Sequence, residues 1–351
     1  MTITIVLPWY DNQSPSGGIL NIYGYAERLA SKGHLVNIIY DCNKGKGKLK
    51  IPNILQCNKR MKNTISKTKL YLKQNIRETP VYNVSNSTIP DADFVVATAL
   101  VTVASVNKLS AEKGKKVYFI QGFENWGKSD EEVYKTYGLG MLNVTVSKWL
   151  YDIVSVHSLS PTYYIPNAVD DSIFCDKDIE TRKPSIGFMY VPIKSKGTYD
   201  VLKVIQNIYD IKPEIKIEAF GVYPRNSDLP PYVHYTFSPS RENLKNLYNR
   251  CSIFICASWL EGFGLTAAES MKCGCCLVTT DCKGVRDFSI DGKTALICKP
   301  QDANDMLNKT LSVLNNDTLR IDVAKEGLKV IMKFNWNDNI DKLERILLEN
   351  K

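Results

Sequence analysis

The sequence predicts an α/β chain of two doubly wound domains, each a parallel sheet with helices on its faces. Three observations carry this expectation. The chain has 351 residues, long for one hydrophobic core and natural for two. Short unbroken apolar runs, such as Ile253-Phe254-Ile255-Cys256-Ala257, have the character of strands covered on both faces. Such runs alternate with helical segments along the whole chain, the pattern of a parallel βα sheet.

In the first domain, 2–8 reads as a strand, and Gly17-Gly18 opens a helix through Leu29. The break SKGH leads into a second strand over 35–41. Further strands are expected at 93–97, 116–121, 142–146 and 162–165, with helices between them, notably 147–157. After Arg182, strands at 185–191, 215–221, 232–236, 252–257, 276–280 and 295–298 alternate with helices at 197–209, 240–249 and 265–273. Helices at 302–314 and 317–332 follow, and FNWNDNIDKLERILLENK reads as a closing helix. These elements set domain boundaries of 1–168, 169–332 and 333–351.

Composition narrows the classes. Apolar content of 44% is that of an ordinary globular protein. The start MTITIVLPWYDN lacks the basic n-region of a secretory signal, and the longest apolar-leaning stretch, 94–106, is too short to span a bilayer. The expectation is a soluble cytoplasmic chain. Of the ten cysteines, Cys273, Cys275, Cys276 and Cys282 cluster, but no paired C-x2-C spacing accompanies them. Cys251, Cys256, Cys276 and Cys298 sit in or beside strand-like runs, where a free thiol acts as a small hydrophobe. No metal site is expected.

The formal charge of +8 is concentrated in one place. Residues 43–77 carry Lys44, Lys46, Lys48, Lys50, Lys59, Arg60, Lys62, Lys67, Lys69, Lys73 and Arg77 with no acidic residue, so the rest of the chain is net negative. Part of this segment, 61–76, has the outline of an amphipathic helix with Ile65, Leu70, Leu72 and Ile76 as its apolar points. The segment is either a solvated lysine-rich loop or a landing patch for anionic lipid or a lipid-diphosphate acceptor, hence a peripheral site on the membrane. Nucleic acid is not expected, because Tyr71 is the one aromatic interleaved there.

The richest stretch is 252–280, SIFICASWLEGFGLTAAESMKCGCCLVTT. It reads as strand, glycine-bearing loop, short helix and strand. Gly262 and Gly264 let backbone approach a ligand closely. A helix opening at Leu265-Thr266 presents free N–H groups at the carboxyl end of the preceding strand, where open α/β sheets bind ligands and where phosphate is favoured. Glu261 before the helix and Glu269 within it would accept hydrogen bonds from ligand hydroxyls. An anion site with flanking hydroxyl acceptors suggests a nucleotide-sugar.

EGFGLTAAE, from Glu261 to Glu269, resembles the hallmark of the family-4 retaining glycosyltransferases, two glutamates separated by seven residues. SPSGGILNIYGYAERLASKGHLVNIIY, VTVSKWL, YIPNAVD, KSKG, EAFGVYP and FSPSRENLKNLYNRCSIFICAS are similar to that family's other segments, in the expected order. The resemblance implies a GT-B fold, two Rossmann-like domains facing a central cleft, and transfer of a sugar from a nucleoside diphosphate to a glycan or lipid-linked acceptor. The nucleotide-sugar is then a substrate, and no cofactor or metal is required.

The resemblance also implies roles. Lys196 in KSKG would hold the diphosphate, aided by the Leu265 and Thr266 amides. Glu269 would accept the ribose hydroxyls, Glu261 would face the transferred sugar, and Gly262, Phe263 and Gly264 would supply main chain around it. Gly17 and Gly18 would let the first domain approach phosphates or acceptor; Ser147, Lys148 and Asn167 would line the cleft; Phe237 and Ser238 would lie by the base. Two departures stand out. The family commonly has an arginine where this chain has Val191, with Lys194 or Arg225 as candidate replacements. Where many relatives have a histidine, this chain has Gln121 and Glu124, which would orient the acceptor hydroxyl or the sugar. No catalytic nucleophile is assigned, because stabilising the departing diphosphate is the main task.

Other readings compare poorly. Asp91-Ala92-Asp93 has the letters of a metal-binding Asp-x-Asp but lies at the amino end of its strand, so it reads as a strand-entry turn. No G-x-G-x-x-G follows the first strand, which disfavours a dinucleotide-dependent dehydrogenase. A GT-B sugar-nucleotide epimerase and a non-catalytic carbohydrate- or membrane-binding relative remain the alternatives.

Overall fold

The computed structural model describes residues 1–8, 16–42, 58–59, 61–62, 76–175 and 178–351. The chain divides into two units, Met1–Pro166 with Asn337–Lys351, and Asn167–Trp336. The first unit carries strands β1 (Thr2–Pro8), β2 (Leu35–Asp41), β3 (Ile76–Val81), β4 (Phe94–Ala97), β5 (Lys115–Ile120), β6 (Leu142–Thr145) and β7 (Thr162–Tyr164). They form one parallel sheet in the order β3-β2-β1-β4-β5-β6-β7. Helices α1 (Gly17–Ser31), α2 (Leu100–Asn107), α3 (Asp130–Tyr137) and α4 (Lys148–His157) connect them. Strand order reverses between β1 and β4, and open α/β sheets bind ligands at the carboxyl ends flanking such a reversal.

One element departs from expectation. Ile76, expected to end an amphipathic helix, opens β3 and pairs with Val36. IRETPV has three polar residues and a proline, a weak strand signature. An outer strand tolerates Pro80, because the N–H it lacks is not needed by a further neighbour. Most of the lysine-rich segment lies outside the described residues. Lys59 and Lys62 are described as exposed, and Arg77 lies on β3.

The second unit carries β8 (Ser185–Met189), β9 (Lys216–Gly221), β10 (Val233–Phe237), β11 (Ile253–Cys256), β12 (Cys276–Thr280) and β13 (Leu296–Cys298), all parallel. Their order is β10-β9-β8-β11-β12-β13, so the reversal lies between β8 and β11. Helices α5 (Thr198–Ile211), α6 (Arg241–Arg250), α7 (Leu265–Lys272), α8 (Ala303–Leu314) and α9 (Asp317–Ile331) cover it. α5 shows why: Val201, Val204, Ile205 and Ile208 recur at helical spacing and are buried against Ile186, Ile255 and Val278. Each such burial contributes roughly 1.5–3 kcal/mol. Cys251, Cys256, Cys273, Cys275, Cys276, Cys282 and Cys298 are buried free thiols of this unit.

The amino end of the first sheet is closed by polar contacts. Asp93 accepts the Thr2 N–H at 2.7 Å, and this bond, followed by Lys351, holds its carboxyl below the usual carboxylate range. Asp91 pairs with Lys113 at 2.7 Å. The Asp-x-Asp letters thus serve the strand-entry turn. The last helix, α10 (Trp336–Glu349), belongs for nearly its whole length to this first unit. Glu344 binds His34 at 2.7 Å and Lys32 at 2.6 Å, while Leu343 and Leu347 enter an apolar pocket with Ile3, Ile5, Tyr25 and Phe119.

Leu347 is 2% exposed, so truncation to alanine leaves a cavity under the sheet. Leu347→Ala is expected to destabilise the first unit by about 2–4 kcal/mol. Hydrogen exchange of the full chain checks this: amides of β1 and β2 should lose protection while those of β11 and β12 keep theirs.

Candidate functional site

In the second unit, chain geometry brings the lysine of KSKG and the first glutamate of EGFGLTAAE together. After β8, the Thr198 hydroxyl donates to the Val191 carbonyl at 2.6 Å and accepts from its N–H at 3.1 Å. Lys194–Lys196 form one 3-10 turn, and Gly197 follows with φ +65°. A Cβ on Gly197 would stand 2.0 Å from the Ala257 carbonyl oxygen, so only glycine lets this turn press against the end of β11. The Trp259 N–H donates to the Ser195 carbonyl at 2.8 Å, fastening the two loops. Lys196 Nζ then meets Glu261 Oε1 at 2.6 Å. Burial lowers the lysine's pKa, but the Glu261 charge and hydrogen bond outweigh it, and the net shift is upward. This ion pair spans the strand-order reversal at the carboxyl ends of β8 and β11.

Gly264 caps α7 with φ +95°, where a Cβ would come within 3.0 Å of Val285. The first intrahelical bond runs from Ala268 N to Gly264 O at 3.0 Å. The amides of Leu265, Thr266 and Ala267 therefore have no partner within the helix, as at every helix start. Phe263, expected within the binding loop, has its side chain in a cluster with Phe288 and Phe334 at 5.1 and 5.7 Å and is 2% exposed. Its side chain anchors the loop.

Glu269 lies one helical turn further on. Its Oε2 accepts the Tyr248 hydroxyl at 3.2 Å. The residue keeps some exposed surface, yet its carboxyl group lies in the interior. Burial pushes its pKa up to about 7, with Arg241 and the Tyr248 bond pulling the other way. Arg241 and Tyr248 come from α6, and nothing in the Glu-x7-Glu spacing reveals them. Phe237 is half exposed at the end of β10, and Ser238 adopts φ 45° and bonds Gly221 O at 2.7 Å. Asn167 is buried at the start of this unit. Arg225, weighed as a replacement for the missing arginine, holds the carbonyls of Val233, Leu229 and Pro230, and so braces its own loop. Lys194 lies over the Trp259 ring at 5.6 Å.

In the first unit, Gly17 and Gly18 open α1 behind the Ser16 cap. A Cβ on Gly18 would sit 3.2 Å from Gln121 Oε1, so the glycine and the end of β5 are neighbours. That Oε1 is buried without a hydrogen-bond partner, and so is the Ser147 hydroxyl at the end of β6. Lys148 pairs with Asp152 on its own helix. Glu124 accepts the Leu100 N–H at 2.6 Å, at the start of α2. Burial raises its pKa to about 7, against that bond. Gly18, Gln121 and Glu124 thus gather at the carboxyl ends flanking this sheet's own reversal. His34 and His157 serve structure, the first on Glu344 and the second stacked on Tyr134 at 3.9 Å.

Residues 173–330 match the family Glycosyl transferases group 1. The chain is 28% identical over 213 residues to an uncharacterized glycosyltransferase of Methanocaldococcus jannaschii, a match covering 59% of this chain and 59% of that protein. The matched part thus spans less than two thirds of this curated relative. Among solved structures the chain is similar to sucrose-phosphate synthase from Thermosynechococcus elongatus, with a TM-score of 0.75, 16% identity and full coverage of both chains. It is also similar to Anabaena HepE in complex with UDP and glucose, with a TM-score of 0.73, 12% identity, and 99% and 100% of the two chains covered. These likenesses show the fold, two parallel-sheet Rossmann-like domains of the GT-B class. The family match falls within the second unit.

The raised pKa of Glu269 fixes a pH dependence in the ligand-free chain. Ionising this carboxyl is easier in the unfolded state, near pH 4.3, than in the folded state, near 7. Stability is therefore lost as pH rises between those values and levels off above them. Glu269→Gln is expected to melt progressively higher than wild type from pH 5 to pH 8. Thermal melts across that range check it; a constant difference would contradict the buried-carboxyl account.

Proposed function

We propose that this chain is a retaining glycosyltransferase that moves a hexose from a nucleoside diphosphate sugar to a hydroxyl of a glycan or lipid-linked saccharide. The observation that carries the reading is the Lys196–Glu261 pair at 2.6 Å across the β8/β11 reversal, with α7 and Glu269 following from the same loop. Open α/β sheets bind ligands at such reversals, and a helix start beside a lysine suits phosphate. The group 1 domain match and the UDP and glucose held by HepE support a sugar nucleotide as the donor.

The chemistry follows from charge. As the diphosphate leaves, negative charge grows on its bridging oxygen and the anomeric carbon becomes oxocarbenium-like. Lys196 Nζ and the Leu265 and Thr266 amides meet the first, and the Glu261 carboxylate faces the sugar. Substrate entry exchanges the lysine–glutamate contact for lysine–phosphate and glutamate–hydroxyl contacts. Retention is accounted for by attack on the face from which the leaving group departs, which needs no protein nucleophile. In the first unit, Gln121 and Glu124 orient the acceptor hydroxyl, and a carboxyl titrating near 7 is suited to sharing its proton at neutral pH. The lysine-rich segment 43–77 favours an acceptor held at an anionic membrane surface.

Kinetics with a nucleotide-sugar panel test the assignment. Glu269→Ala is expected to weaken nucleotide binding by about 10- to 100-fold through loss of the ribose acceptor. Glu261→Ala is expected to lower kcat by about 100-fold with little change in nucleotide affinity. Unaltered kinetics in both variants would reject the reading, and donor conversion without any acceptor would favour an epimerase. For the membrane surface, flotation on anionic vesicles should be lost when the 43–77 lysines are replaced by glutamine; equal flotation would remove that part.

A further inference from the structure

The cations named so far in the second unit are engaged. Lys196 holds Glu261 at 2.6 Å, Lys194 lies over Trp259, Arg225 braces three carbonyls, and position 191 is a buried valine. Two phosphates meeting one already paired lysine leave negative charge uncompensated. Arg241 is placed differently. Its Nε–H is buried with no hydrogen-bond partner. Its guanidinium lies 5.2 Å over the Phe174 ring, and Phe174 in turn packs edge-on against Tyr248 at 5.9 Å. Tyr248 holds Glu269, and the Arg241 charge reaches that carboxyl as well.

The helix does not explain this arginine. Arg241 is the first residue of α6 behind the Ser240 cap, where a positive charge opposes the helix dipole. A buried guanidinium N–H without an acceptor also costs folding free energy. A ligand oxygen would supply the missing acceptor. Its location suits one: α6 follows β10, so Arg241 stands on the carboxyl rim of the sheet, as do Lys196 and Glu261. The planar fork of Nε and Nη matches two oxygens of a phosphate better than a sugar hydroxyl, which is neutral.

We propose that Arg241 binds the phosphate ester next to the nucleoside, its Nε–H donating to a phosphate oxygen beside the ribose that Glu269 accepts. This rests on the nucleotide-sugar reading above and adds to it the second phosphate cation. Phe174 holds the guanidinium plane from below, and the aromatic contact to Tyr248 ties that plane to the ribose carboxylate.

Ligand-detected NMR titration of the full chain tests this, using uridine, UMP and UDP and the matching guanosine series on wild type, Arg241→Gln and Arg241→Lys. Thermal melts confirm that each variant is folded. In the series that binds, Arg241→Gln is expected to weaken the mono- and diphosphate by about tenfold more than the nucleoside, with Arg241→Lys recovering part of the difference. Equal weakening of nucleoside and nucleotides, or no weakening in Arg241→Gln, overturns the role of Arg241 and leaves the nucleotide site standing. Absence of binding to wild type in both series overturns the nucleotide reading and this inference with it.

Discussion

Lys196 and Glu261 meet where the strand order of a parallel sheet reverses, at the carboxyl ends of β8 and β11, and several contacts of the second unit keep them there. A partly exposed lysine–carboxylate contact is worth little as a stabilising device. Its value is positional. The Gly197 turn pressed against Ala257, the Trp259–Ser195 backbone bond and the Phe263 anchor fix both loops before any ligand arrives. Fixed dipoles and charges need no reorganisation when a leaving group develops charge, which is the condition for electrostatic catalysis. In the proposed reaction the ion pair stands in for the substrate in charge terms, each partner satisfying the other until phosphate and sugar would separate them.

A second cluster lies beside the first and has a different character. Glu269, Tyr248, Arg241 and Phe174 link α7 to α6 through one hydrogen bond, one charge contact and aromatic packing. Here burial pushes the carboxyl's pKa up to about 7. The same balance recurs in the first unit, where Glu124 rests on the first amide of α2. The two carboxyls share a cause, desolvation at the carboxyl ends of a sheet. Glu261, by contrast, has a lysine directly against it.

Much of this was legible in the sequence. Apolar runs gave the strands to within one or two residues, because strands buried on both faces have little freedom in composition. β3 was missed because an outer strand can carry arginine, glutamate and proline without cost to the core. The Lys196, Glu261 and Glu269 positions could be read from local motifs. Arg241, Tyr248 and Trp259 could not, since each acts across a long loop and no spacing rule describes such contacts. One signal was available for Arg241, a basic residue at a helix start announced by Ser240. Phe263 shows the opposite limit: a residue inside a motif read as a binding loop has its side chain packed into an aromatic cluster with Phe288 and Phe334.

The raised pKa of Glu269 has a thermodynamic consequence. In the proposed nucleotide-sugar site, a Glu269 that accepts ribose hydroxyls as an anion would expel a fraction of a proton on nucleotide capture at neutral pH. The heat of capture would then include the protonation enthalpy of whatever buffer receives it. Affinity in that site would be linked to acidity: a more acidic medium would refill the carboxyl and weaken capture.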